Sequence, residues 1–414
     1  MITRLKIENF KSLRDVDLRL GPFNLFVGAN ASGKSNLLDA LRILQGIGLG
    51  LSVAEIFDGK PKSSSTAEWP GIRGGGGLAA YRYVRSGKKI PVSARSIGMR
   101  IESALPNTSV SIDYSIRLRP RVGKVEGESL CLDGKVSYST EKVTNDSSSP
   151  VLKAAVAVEK RGKRPHLQFS SARPILGQLE STDWFWDLGE RWIEDITLFA
   201  LAMQDMQHLD LNPKELRDYA RGRKVVRMGE RGENFAAVVE EIIKDPKLKN
   251  SYVSWLKDLT PNDIDNVRVK PGALGEPLFA AVEKGKEFLA PVLSDGTLRF
   301  AALTAAFFQP SMPSLMTIEE IENGVHPTRL RLLVELLHSQ SKRTGTQVVA
   351  TTHAPLVLAW LDESQYEHTF LCLRGDELSE TRILPLTDVP RFTELAKTHR
   401  VGELFSEGWF EMAI

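Results

Sequence analysis

The chain has 414 residues, 42% of them hydrophobic and 26% charged, with a formal net charge of +2. That is the composition of a soluble globular protein with room for two or three domains. No apolar run approaches the roughly 18–20 residues of a membrane span, and the opening Met1-Ile2-Thr3-Arg4-Leu5-Lys6 has no signal-peptide core. Cys131 and Cys372 stand far apart without metal-ligand spacing. A cytoplasmic protein with no membrane partner is expected, and near-neutral charge neither demands nor excludes nucleic acid.

In chain order, Ile2–Phe10, Asp15–Leu20 and Phe23–Val27 read as strands. The last runs straight into Gly28-Ala29-Asn30-Ala31-Ser32-Gly33-Lys34-Ser35, which matches the G-x-x-x-x-G-K-[ST] phosphate loop. An amphipathic helix follows, with Leu37, Leu38, Leu41 and Leu44 on one face. Strand, loop and helix are the context the motif requires; a glycine turn before an ordinary helix is the bland alternative. Glycines let backbone N–H groups wrap phosphate oxygens at a helix N-terminus. Lys34 is expected on the β- and γ-phosphates and the Ser35 hydroxyl on Mg²⁺, with Asn36 completing the nucleotide-binding residues.

Gly74–Gly77 lacks a Lys-Ser ending and reads as a flexible loop. Between residues 95 and 175, Met99–Glu102, Ser109–Leu118, Lys135–Tyr138 and Val151–Val158 alternate as strands, with a loop at Thr144–Pro150. Trp184–Met206, Asn234–Ile243 and Tyr252–Leu259 carry helical spacing, with no sustained heptads. Basic clusters fall at Arg82–Lys89, Lys160–Arg164 and Arg217–Arg231. Folded together they would suit nucleic-acid phosphates; scattered solvated surface is the simpler reading.

Leu293-Ser294-Asp295-Gly296-Thr297 opens a helix to about Phe308, with Ser294 as N-cap and Asp295 complementing the dipole. Leu315, Met316 and Ile318 form a buried strand ending in Glu319 and Glu320. Acids at the C-terminal end of a parallel strand suit two tasks. Glu319 is expected to hold Mg²⁺, and Glu320 to orient or deprotonate the attacking water. Thr346–Thr352 forms the next strand and delivers His353 beside the acids, where it could sense the γ-phosphate. Thr369–Arg374, a turn at Gly375-Asp376, Thr381–Leu386 and a short helix complete the chain.

These residues together resemble the ABC-type ATPases that include the SMC, RecF and OLD families, most closely the bacterial stand-alone RecF/OLD-like ATPases. Leu5-Lys6-Ile7-Glu8-Asn9-Phe10-Lys11-Ser12-Leu13 looks like their opening strand and turn, and Leu293–Thr297 like their signature motif. Ile318–Pro327 looks like the Walker B strand and following loop, and His353 like the switch histidine. The likeness is specific over residues 1–45 and 285–410. Glu319 stands where many relatives have Asp, Ile321 where Pro is common, and Asp295 where transporter motors have Gly; no glutamine loop can be placed, since Gln45 reads as a helix residue.

The resemblance implies an α/β fold, a P-loop NTPase head with a parallel core sheet, a flanking antiparallel β lobe and a helical insertion. The divisions expected are 1–50 and 266–414 for the head, 51–180 for the β lobe and 181–265 for the insertion. It implies Mg²⁺-dependent hydrolysis of ATP to ADP and phosphate. It also implies a head-to-tail homodimer or higher oligomer with two ATP molecules between paired subunits, in which Ser294 and Gly296 act in trans, with Asp295 also among the nucleotide-binding residues. No acidic cluster of an OLD-type nuclease domain follows His353, so an effector would be a partner chain. A nucleotide-gated switch, plausibly in anti-phage defence, is expected; a RecF-like DNA-binding ATPase of DNA repair or recombination is the alternative.

Overall fold

The computed structural model describes the chain apart from residues 63–67, 85–90, 106–107, 142–149, 158–164, 182–189, 221–226, 260–263, 375–379, 400 and 411–414. Two compact units interleave along the sequence. The first comprises Met1–Gly21, Gly28–Met206 and Leu371–Leu384; the second comprises Pro22–Val27, Gln207–Phe370 and Pro385–Ile414.

The first unit is built on an eight-stranded antiparallel sheet. Its order is His166–Ser170, Val151–Val156, Lys135–Thr140, Lys124–Leu132, Ser111–Arg119, Ile97–Ala104, Ile2–Phe10 and Leu13–Arg19. Period-two alternation sets its faces: Ile112, Tyr114, Ile116 and Leu118 are buried, while Arg4 pairs with Asp17 and Glu102 on the wet side. Lys124–Leu132 and His166–Ser170 were not expected as strands. Gly127 and the bulge opposite Arg117/Leu118 break the alternation in the first of these. The second is a five-residue strand with one buried position, Phe169, too little pattern to read.

Among the described residues, the buried face of this sheet carries one carboxylate, Glu128. It accepts from Tyr114 Oη at 3.1 Å, Tyr138 Oη at 2.8 Å, and the backbone N–H groups of Ile175 and Leu176 at 2.5 and 3.0 Å. Burial pushes its pKa up against those four donors. The helix Lys34–Gly48 lays Leu37, Leu38, Leu41 and Leu44 into the core, each contributing about 1.5–3 kcal/mol. Its last turn lies against the helix Glu190–Gln204, so closely that a Cβ on Gly48 would sit 2.4 Å from Gln204 N. Gly74–Gly77, expected as a loop, instead holds one helical turn, Gly75–Leu78. Asp58 Oδ1 accepts from Gly76 N at 2.8 Å, a tie from a distant segment that no local pattern reveals.

The second unit centres on parallel strands Leu315–Ile318, Gln347–Thr352 and Phe23–Val27, buried along their whole length as two-sided strands must be. Met316 pairs with Val348, Ala350 with Leu25, and Thr352 with Val27. Phe26 stacks on Phe370 with centroids 4.7 Å apart. The helices Phe235–Lys244, Pro246–Leu259, Asp295–Ala306 and Leu330–Thr344 and the antiparallel sheet Asn266–Pro271, Pro277–Glu283, Lys286–Leu289 complete it. Tyr252 Oη donates to Ala301 O at 3.0 Å between two of these helices. Met206–Leu209 is a strand inside a stretch that reads as helical. Parts of further expectations lie outside the described residues: Val158 at the end of the strand expected over Val151–Val158, Trp184 and its neighbours to residue 189, the loop over 144–149 and the turn at Gly375-Asp376.

Candidate nucleotide site

Strand register places the functional segments. Val27 pairs with Thr352, and Ile318 with Ala350, so the three parallel strands end together. Gly28 follows Val27, Glu319 follows Ile318 and His353 follows Thr352. Within the second unit the Glu319 and His353 segments therefore leave the carboxyl edge of one parallel sheet, where such folds bind ligands, and the strand Phe23–Val27 ends at the same edge.

In the first unit the phosphate loop runs into the helix through two left-handed residues, Ala31 with φ 64° and Gly33 with φ 101°. Gly28 and Gly33 are both obligatory on steric grounds: a Cβ would meet Cys372 O at 2.3 Å and Thr381 Oγ1 at 2.0 Å respectively. Lys34 is 7% exposed and curls over the loop, donating to Gly28 O at 2.6 Å and Ala29 O at 2.8 Å. Burial pushes the neighbouring Cys372 thiol up to about 12, against the pull of Lys34, so this cysteine is not a nucleophile. Asn30, Ala31 and Ser35 are exposed at the mouth.

Behind the loop, Asp39 on the helix is 5% exposed and pairs with Lys11 and with Arg73 Nε at 3.1 Å. Burial depresses the Lys11 pKa, and Asp39 offsets part of that. Arg73 also donates to Ser35 O at 2.8 Å, tying the helix's first turn to residues nearly forty positions on. Gln45 is helical as expected, its amide donating to Met206 O at 2.6 Å.

In the second unit Glu320 sits at φ 48°, a left-handed conformation costing about 1–2 kcal/mol for a side-chain-bearing residue. Thr351 holds it there, accepting from Glu320 N through Oγ1 at 3.0 Å and from Ile321 N through its carbonyl at 3.1 Å. Asn323 Nδ2 donates to Glu320 Oε2. His353 Nδ1 stands 3.9 Å from Glu320 Oε1 and 2.9 Å from Glu322 Oε1, which also accepts from His353 N at 2.6 Å. Of the two expected acids, Glu320 thus comes together with the histidine. Glu319 N donates to Leu209 O at 3.1 Å on the neighbouring strand.

Glu322 was not singled out from sequence. Its carboxylate is 8% exposed, and its bond to Nδ1 leaves Nε2 as the outward-facing atom of a ring that is 40% exposed. Glu322→Ala, losing both bonds to His353, is expected to lower turnover about 10–100-fold while changing nucleotide affinity less, and Glu322→Gln, which keeps an acceptor, to recover most of it. Steady-state kinetics on the pair separates kcat from KM.

The signature segment forms as expected. Ser294 caps the helix Asp295–Ala306, accepting from Thr297 N at 3.1 Å, and remains exposed. Gly296 packs on the loop after the acids: a Cβ there would sit 1.9 Å from Gly324 O, and Gly324 has φ 76°. Asp295 Oδ1 lies 2.5 Å from Arg217, which also donates to Leu293 O at 2.9 Å. Arg217 is thereby part of the signature's support. Arg227 donates to Ser311 O, Ser311 Oγ and Met312 O, each at 3.0 Å. Two cations of the basic cluster thus serve main-chain carbonyls, whereas Arg221, Arg223 and Lys224 lie outside the described residues, as do residues 85–89 and 160–164 of the other clusters.

The residues fit a magnesium nucleotide. In the first unit two glycines hold the loop open, a lysine ammonium lies on it, and the exposed Ser35 hydroxyl is the kind of oxygen donor that Mg²⁺ prefers; in the second unit the Glu319 carboxylate is another such donor. Among the described residues no group of three or more His, Cys, Asp or Glu side chains is arranged to hold a metal, and no helix is long and apolar enough to cross a membrane.

Comparison with known proteins agrees with this geometry. Residues 178–359 match a family model described as "AAA domain, putative AbiEii toxin, Type IV TA system", and residues 1–48 match an "AAA ATPase domain". The OLD nuclease of Thermus scotoductus is 44% identical over 46 residues, 11% of this chain and 9% of its own length. The DNA replication and repair protein RecF of Acinetobacter baylyi is 52% identical over 44 residues, 10% of this chain and 12% of its own. The matches thus span about a tenth of either relative. In fold, a crystal structure of an Smc head bound to the C-winged helix domain of ScpA superposes with a TM-score of 0.52 at 15% identity, covering 93% of this chain and 98% of that one. The family-model matches, the partial OLD and RecF matches and the Smc-head fold together support an ABC-type P-loop ATPase of the group that includes the RecF, SMC and OLD proteins.

Proposed function

We propose that the protein is a nucleotide-gated switch. Two copies close head to tail on Mg-ATP, and hydrolysis to ADP and phosphate releases them. Lys34 and the loop amides hold the β- and γ-phosphates, and Ser35 and Glu319 hold Mg²⁺. Glu320 orients the attacking water, and His353 faces the γ-phosphate. Mg²⁺ held there would supply neutralisation of the charge that develops on the transferring phosphoryl group. The exposed Ser294 at the start of a twelve-residue helix carries the reading, because it is a capped helix N-terminus left open to a second copy's nucleotide. An intact γ-phosphate bridging two subunits makes a bistable element that a partner can read. The regulated partner is an effector protein in the cytoplasm, acting in anti-phage defence; the toxin–antitoxin description of the matched family supports that setting.

Ser294→Arg tests the in-trans role. The variant is expected to bind Mg-ATP as wild type does yet stay monomeric, because a guanidinium replaces the hydroxyl at the closing surface. Light-scattering mass with and without Mg-ATP decides it, and a variant that still doubles in mass rules the sandwich out. Duplex DNA in a parallel titration separates the repair reading: binding that falls steeply with salt would favour it.

A further inference from the structure

A chain of hydrogen bonds runs behind the phosphate loop, entirely within the first unit. Thr381 Oγ1 lies 2.9 Å from Ser32 O, Ser12 Oγ lies 2.6 Å from Thr381 Oγ1, and Asn36 Nδ2 lies 2.7 Å from Ser12 Oγ. A carbonyl only accepts, so the Thr381 hydroxyl donates to Ser32 O. Its oxygen must then accept from Ser12, whose own oxygen accepts from the Asn36 amide. Every proton direction is thereby fixed, from the first turn of the helix, through two hydroxyls, back to the loop residue before Gly33. The link reaches across 349 residues of sequence between Ser32 and Thr381.

Two strands, Thr369–Arg374 and Thr381–Pro385, fix the loop sterically. Thr381 fills the space where a Cβ on Gly33 would fall, and Cys372 O does so at Gly28. Thr381 N donates to Ser12 O at 2.8 Å, which anchors the strand Thr381–Pro385 to the turn at Lys11-Ser12. The left-handed Gly33 is the hinge on which the directions of the following N–H groups depend.

We propose that Thr381 is a positioning residue for nucleotide binding: its hydroxyl, oriented by Ser12, holds the Ser32 carbonyl and so sets the Gly33–Lys34 turn that receives phosphate. The proposal rests on the nucleotide reading of the loop. Thr381 touches no phosphate itself; it acts through Ser32.

The test is calorimetric titration of Mg²⁺ with a non-hydrolysable ATP analogue, and of inorganic pyrophosphate, into the full chain. Thr381→Val keeps shape and removes the hydroxyl, leaving Ser32 O without its donor; affinity for both probes is expected to fall about 5–30-fold. Thr381→Ser keeps the hydroxyl and is expected to restore binding, which a role confined to packing would not. Ser12→Ala leaves Thr381 able to donate and is expected to cost less than Thr381→Val. Wild-type affinity in Thr381→Val, or no recovery in Thr381→Ser, overturns the proposal. If Thr381→Val does not fold, unchanged affinity in Ser12→Ala overturns it instead. A wild-type chain that binds neither probe overturns the nucleotide reading, and this proposal with it.

Discussion

Lys34→Ala is expected to abolish measurable turnover and to weaken Mg-ATP binding by at least about 10–100-fold, the cost of losing charge-assisted hydrogen bonds. The ammonium is 7% exposed and rests on two loop carbonyls at 2.6 and 2.8 Å. That is a parked position: both acceptors are neutral, and a phosphate oxygen is a stronger competitor for the same protons. Turnover suffers more than affinity because the same charge meets the negative charge of the transferring phosphoryl group. Lys34→Arg is not a conservative replacement, since a planar fork cannot occupy the space a tetrahedral ammonium fills beneath the loop. Nucleotide titration beside a thermal melt checks the result. An unchanged melting temperature with lost binding places the effect in the site, and retained binding in Lys34→Ala would remove the loop from the nucleotide.

The parts of this site that could be read in advance are those whose chemistry is local. The phosphate loop is legible because strand, glycines, lysine and helix are contiguous. Ser294 is legible because a helix N-cap is a property of four residues, and Glu320 with His353 because each ends a buried strand whose apolar run announces it. What escaped depends on pairings over long separations. Glu322 meets His353 across 31 residues, Arg73 meets Ser35 across 38, and Thr381 meets Ser32 across 349. None carries a periodic signal. The Arg217–Arg231 cluster illustrates the converse. A charge run there suited either a phosphate surface or scattered solvated residues, yet Arg217 and Arg227 donate to Leu293 O, Ser311 O and Met312 O, because part-buried carbonyls outside regular elements need partners. Gly74–Gly77 misled for a related reason: glycine permits a loop, and a tertiary bond from Asp58 chose a helical turn instead.

Glu320→Gln is expected to bind Mg-ATP, lose about 10²–10⁴ in hydrolysis rate, and accumulate as a closed dimer of twice the mass. The substitution suits the local geometry. Asn323 Nδ2 donates to one Glu320 oxygen, a bond that a glutamine carbonyl can also accept, without the carboxylate's charge. The backbone bonds to Thr351 do not involve the side chain, so the left-handed φ of 48° is kept. What changes is basicity: an amide cannot take a proton from water. Binding and closure then proceed while release stalls, so a short-lived state becomes the resting one. Mass photometry or light scattering with Mg-ATP reads the outcome directly, with Mg-ADP as the control that must stay monomeric. A doubled mass with ATP alone ties closure to the γ-phosphate, and the Ser294→Arg, Glu320→Gln double variant should then revert to a monomer that holds ATP. A mass fixed in all nucleotide states and larger than a dimer would instead make the chain a constitutive scaffold. Control would then lie in its partner and not in the phosphate it holds.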